Sequence, residues 1–135
     1  MIFLYGASSL TNEENISSVY TFDTKNNSWQ VPQISGTSST KRQSLSALID
    51  NKGKMYLFGG WLIDGNYTND MLILDTIHFT WGKGSQVNAP TPRYLYGATL
   101  LPNQHIIYLG KWFLEINTQE DYRWLFFFLH FARTV

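Results

Sequence analysis

Three short apolar runs, each closed by a glycine, recur along the chain on one beat. They are Ile2-Phe3-Leu4-Tyr5-Gly6, Met55-Tyr56-Leu57-Phe58-Gly59 and Ile106-Ile107-Tyr108-Leu109-Gly110, with the glycines 53 and 51 positions apart. Two further markers keep the same spacing. Asp23-Thr24 and Asp75-Thr76 each place an aspartate six residues ahead of a tryptophan, and those tryptophans, Trp29 and Trp81, are 52 apart. Arg42 and Arg93 lie 51 apart and are followed by Ser46-Ala47-Leu48 and Gly97-Ala98-Thr99. A period of about 50 residues marks a repeat architecture, in which each unit hides its apolar surface against the next.

Each unit reads as β structure. Runs such as Met71-Leu72-Ile73-Leu74 are short, aliphatic or aromatic, and bounded by Gly, Asn, Asp and Pro. No segment sustains the i, i+3, i+4 apolar stripe of a helix. The runs are nearly continuous, whereas a strand with one wet face alternates, so the pattern predicts sheets covered on both sides. In the central unit four strands are expected, over residues 43–49, 54–58, 70–75 and 79–83. Small residues in the first of these (Ser44, Ser46 and Ala47) suit a strand crowded close to an axis. Asp50-Asn51-Lys52-Gly53 supplies a tight turn, and a polar loop over 61–69 joins the second strand to the third. Four antiparallel strands in about 50 residues make one blade of a β-propeller.

Composition narrows the function. With 10 Lys+Arg against 10 Asp+Glu the chain has no net field for holding nucleic acid or an anionic membrane. The absence of cysteine removes disulfides, thiolate metal sites and a thiol nucleophile. The longest apolar run, residues 124–131, falls well short of the roughly 20 residues that cross a bilayer as a helix, so no membrane insertion is expected. His78, His105 and His130 are scattered without metal-site spacing, and neither a nucleophile elbow nor a P-loop is present. The oxygen-rich stretch from Asp64 to Asp70 departs from the EF-hand spacing and reads as a turn. These residues therefore predict no enzyme activity, no metal and no cofactor. With 44% hydrophobic content, including 5 Trp, 8 Tyr and 9 Phe, the chain must bury a core.

The ordered markers resemble the kelch repeat, whose unit carries a strand ending in Gly-Gly, a polar loop, an acidic residue closing the third strand and a Trp about six positions later. Gly59-Gly60, Asp75 and Trp81 match that pattern fully. The first unit offers Gly6-Ala7, Asp23 and Trp29; the third offers Gly110-Lys111 and Trp124, with 14 residues from glycine to Trp against 23 and 22 in the others. The resemblance implies an all-β, incomplete β-propeller of about two to three four-stranded blades. Residues 1–41 would be a partial first blade, 42–92 the complete central blade, 93–124 a shortened third, and 125–135 an apolar tail outside the pattern. The glycines are expected to turn the backbone, Trp29 and Trp81 to pack between blades, and Arg42 and Arg93 to make fixed polar contacts near strand starts, in reach of a carboxylate.

Propellers close with roughly four to eight blades, so the repeats predict part of a larger ring. Assembly of several chains into a ring is disfavoured, because the unequal third unit opposes symmetric closure. Open blade faces would promote self-association. The leading functional expectation is a scaffold for a protein partner, recognised through the loops between second and third strands. The candidate contact residues are Asn12, Glu13 and Glu14 in the first loop, and Trp61, Ile63, Asp64 and Tyr67 in the second. One alternative is a piece of a galactose-oxidase-like propeller enzyme. That family's copper site needs a cysteine cross-linked to tyrosine, which these residues cannot provide. The other alternative is a truncated product with no function of its own.

Overall fold

A computed structural model describes residues 1–6, 18–37, 40–112 and 130–133, and all regular structure within them is β. The first sheet is the antiparallel ribbon β1 (Ile2–Tyr5), β2 (Val19–Asp23) and β3 (Ser28–Gln30), in that order. The central sheet contains β4 (Ser35–Gly36), β6 (Ala47–Ile49), β7 (Lys54–Phe58), β9 (Met71–Asp75) and β10 (Thr80–Lys83), ordered β4-β10-β9-β7-β6. Two short strands, β5 (Arg42–Gln43) and β8 (Trp61–Leu62), pair with each other beside it. The third sheet is β11 (Arg93–Leu100), β12 (His105–Trp112) and β13 (His130–Arg133). Several small sheets on one repeat fit the incomplete β-propeller expected from the sequence.

Both faces of the central sheet are covered, by different neighbours. Met55, Leu57, Leu72, Leu74 and Trp81 are buried together with Val19 of β2, and Phe3, Tyr5, Ile34 and Leu45 pack on them. Tyr5 meets Trp81 edge-on at 6.0 Å, a favoured aromatic geometry. The opposite face presents Phe58, Leu48, Tyr56 and Met71 to Tyr96, Ile106 and Tyr108 of the third sheet. Period-2 side-chain alternation therefore places two apolar sets on the two faces of the same strands, which accounts for their unbroken hydrophobic run.

Among the described residues, the first sheet is covered on one face only. Phe3, Tyr5 and Val19 turn toward the central sheet, whereas Ile2 and Leu4 alternate to the exposed side. Cross-strand register sets Ile2 opposite Phe22 and Phe22 opposite Trp29. Trp29 was expected between blades, but it is 59% exposed and lies on that same face, its ring 5.0 Å from that of Phe22. Trp81, its counterpart on the repeat, is 9% exposed because the first sheet lies over it. The same packing rule produces both outcomes. Each sheet turns its tryptophan toward the sheet that precedes it, and among the described residues nothing precedes β1.

Turn chemistry follows the sequence closely. The Asp50 carboxylate accepts from the Lys52 and Lys54 amides, and Gly53 sits at φ 76°. Asp75 closes the next turn by accepting from the Ile77 and His78 amides at 2.9 Å, and pairs with Lys54 Nζ at 2.7 Å. Asn27 and Phe79, equivalent on the repeat, share left-handed backbone (φ 53° and 51°), as do Ser44 and Leu95 (59° and 51°). The period is thus written in backbone conformation as well as in sequence.

Three further expectations need correction. The strand expected over 43–49 is broken at Ser44, whose left-handed backbone sends Arg42–Gln43 to pair with Trp61–Leu62 and leaves Ala47–Ile49 as the partner of β7. The central sheet has a fifth strand, because Ser35–Gly36 runs parallel to β10 and satisfies its free edge. The segment 125–135 is not wholly outside the pattern, since His130–Arg133 pairs antiparallel with His105–Tyr108 and extends the third sheet. Trp124 lies outside the described residues.

Candidate functional site

The loop from β7 to β9 is a small structure anchored at both ends. Gly59 and Gly60 leave β7 with φ 63° and 96°, and a Cβ on Gly59 would come within 2.7 Å of the Arg93 carbonyl oxygen. Only glycine allows the third sheet to approach this closely while the chain takes a left-handed step. The loop then folds back on itself. Leu62 N donates to Asn66 O at 2.9 Å, Gly65 N donates to Leu62 O, and the Asp64 carboxylate accepts from the Asn66 amide. A bridge between Trp61 and Tyr67 completes a miniature hairpin.

Arg42 clamps the base of this loop. Its guanidinium donates to the Gly59 carbonyl at 3.0 Å and to both Asp70 carboxylate oxygens, at 2.7 and 3.2 Å. Thr68 Oγ1 adds a 2.6 Å bond to Asp70, and Gly59 N donates to Asp70 O. Burial would by itself raise the Asp70 carboxyl, but the Arg42 and Thr68 hydrogen bonds outweigh it and hold the group below its ordinary range. A bidentate pair of this kind, with its guanidinium buried and its carboxylate partly so, fixes geometry as well as charge. The loop is therefore presented on a rigid footing.

Arg93 occupies the equivalent place one repeat later with different partners. It bonds Thr91 through the carbonyl and the hydroxyl, and its guanidinium lies 5.7 Å from the Tyr108 ring centroid. The third sheet also reaches the loop through its backbone, because Gly60 N donates to Arg93 O and Leu95 N to Ser44 O. Tyr96 donates its hydroxyl to the Phe58 carbonyl, and burial pushes that phenol up to about 12.

These anchors bring together three aromatic rings. Tyr67 and Tyr94 stack at 4.9 Å with 9° between their planes, and Trp61 packs against both, at 6.0 and 5.8 Å. Burial first, and then Tyr94, raises the Tyr67 phenol. Trp61 keeps an exposed surface, and Ile63 at the hairpin tip is 86% exposed. The structure thus gathers Trp61 and Tyr67, leaves Ile63 and Asp64 on the tip, and adds Tyr94, which sequence reasoning did not single out. The signal for Tyr94 was its place on the repeat, one residue after Arg93, where the preceding unit has Gln43 paired with Trp61. Asn12, Glu13 and Glu14 lie outside the described residues.

Among the described residues no three His, Cys, Asp or Glu side chains converge as a metal site, and no helix is long and apolar enough to cross a membrane. His78 is a turn residue beside Asp75, with Nδ1 2.9 Å from the carboxylate. Against known proteins, the model of the KLHDC2/KLHL20/DRC7 Kelch-repeats domain matches residues 1–126. The chain belongs to the kelch-repeat family. Kelch domain-containing protein 3 of Rattus norvegicus is 32% identical over 82% of this chain and 29% of its own length. Host cell factor of Drosophila melanogaster is 30% identical over 89% of this chain and 9% of its own. The human Kelch domain-containing protein 1 is 31% identical over 62% and 20% respectively. This kelch chain therefore spans less than a third of the length of each of these three relatives.

Proposed function

We propose that this kelch chain is an interaction scaffold whose partner is a protein, and that the loop between β7 and β9 supplies the contact through Trp61, Ile63, Asp64 and Tyr67. Kelch-repeat proteins are generally protein-interaction scaffolds, which supports the coarse reading. The observation that carries the finer one is the clamped aromatic hairpin, with Trp61 and Ile63 exposed above the Arg42–Asp70 pair. Exposed aromatic anchors on a rigid base lose little conformational freedom on binding, and such residues dominate interface energetics. The exposed apolar face of Ile2, Leu4 and Trp29 supports a second contact, self-association of sheet face against sheet face.

Site-directed photo-crosslinking tests the loop. A photoreactive side chain at Ile63 is expected to give a discrete protein adduct in the source cell. The same group at Lys52, in the turn at the opposite end of β7, is expected to give none. Trp61→Ala with Tyr67→Ala should abolish the adduct. Equal labelling from both positions, or an adduct indifferent to the double substitution, would contradict the assignment.

A further inference from the structure

The Trp61 loop has a neighbour across the sheet boundary that changes what it can hold. Ser44 and Leu95 are equivalent on the repeat, and both take left-handed backbone. The ladder between β11 and β12 shifts register between Arg93 and Tyr96, so Tyr94 and Leu95 form a bulge. Bulges re-aim side chains, and here one result is the stack of Tyr94 on Tyr67. The other is Leu95, which is 67% exposed. A γ-branched L-residue pays conformational strain at such a φ, and an exposed one recovers little of it by packing within the chain. The preceding unit fills the same position with the small polar Ser44. Strain without a packing return is a feature of binding sites.

Charge defines the occupant. Across loop 61–69 and the bulge pair Tyr94 and Leu95, the only side chain charged at neutral pH is Asp64. No cation pairs with Asp64 among the described residues, whereas Asp70 and Asp75 are both paired. Aromatic ring faces carry negative electrostatic potential and attract Lys and Arg side chains. Three rings, one unpaired carboxylate and two exposed aliphatic side chains are complementary to a segment that is apolar and basic.

We propose that Trp61, Tyr67, Tyr94 and Leu95 form one docking surface across the central and third sheets, taking an extended peptide segment of a protein partner in which a Lys or Arg adjoins apolar residues. This rests on the reading of the loop as a contact site and adds the third-sheet residues and the partner's chemistry. The test selects random-sequence peptides displayed on phage against the immobilised full chain, then titrates the enriched peptides as synthetic ligands. Enriched sequences should share a basic residue beside apolar ones. Their affinity should fall at least about tenfold in Tyr94→Ala and in Trp61→Ala. It should also weaken in Asp64→Asn, with less dependence on salt. Leu95→Gly separates binding from folding, because it relieves the left-handed strain: affinity should drop about fivefold or more while the melting temperature stays level or rises. Acidic or uncharged peptides, or binding indifferent to Tyr94→Ala and Leu95→Gly but lost with Trp61→Ala, would overturn this proposal and leave the loop reading standing. An absence of enriched peptides, or binding indifferent to Trp61, Tyr67 and Tyr94 alike, would overturn both.

Discussion

Met55, Leu57, Leu74 and Trp81 of the central sheet, and Ile2, Leu4, Phe22 and Trp29 of the first, occupy matching places on the repeat and end in opposite surroundings. The central set is buried, and of the first set Ile2, Leu4 and Trp29 are exposed. Nothing intrinsic to the side chains makes that difference. Both sets are apolar, both lie on strands with the same register, and both turn toward the preceding sheet. What differs, among the described residues, is whether another sheet packs on that face. A kelch unit is therefore not a self-sufficient fold. It is a layer with one face directed each way along the array, and its stability is shared with its neighbours.

The largest expected effect separates the two tryptophans. Trp81→Ala should destabilise the chain by about 3–5 kcal/mol, because it opens a cavity between the first and central sheets. Trp29→Ala removes an exposed ring packed on Phe22 and should cost below about 1.5 kcal/mol. Denaturant titration of both variants measures the contrast. A melting temperature that rises with chain concentration, and loses that dependence in Trp29→Ala, would show the exposed face being covered by a second copy. Equal losses in the two variants would mean that the first sheet is already covered on both sides.

A smaller effect belongs to the turn aspartate of the central sheet. Hydrogen bonds from the Lys54 side chain first, and then from His78, hold the Asp75 carboxyl well below its ordinary value of 3.8. A carboxyl lowered in the folded state stabilises folding above that ordinary value, and the contribution is lost as the pH falls from there through the lower folded-state value. Asp75→Asn should thus flatten the decline of melting temperature between about pH 5 and pH 2. A decline as steep in Asp75→Asn as in the parent chain would contradict this reading.

Much of this was legible in the residues. The period located Gly59-Gly60, Asp75 and Trp81, and the turn at Gly53 followed from local chemistry. The continuous runs also announced two-sided burial for β7 and β9. Local pattern failed where a partner lies far along the chain. Ser35–Gly36 joins the central sheet through a parallel pairing with Thr80–Trp81, and two residues in a polar stretch carry no strand signal. Tyr94 stacks on Tyr67 from 27 positions away, through a bulge whose left-handed Leu95 no propensity would place there. The exposure of Trp29 was hidden for another reason, since the repeat gives the direction a side chain faces but not what stands opposite.

Amide hydrogen exchange on the intact chain tests most directly whether a covered face on each side is what stabilises a unit. Amides in the β7–β9 ladder, among them those of Met55, Leu57, Leu72 and Leu74, should exchange at least about tenfold more slowly than those in the β1–β2 ladder. Equal protection of the two ladders, or stronger protection of β1–β2, would contradict it.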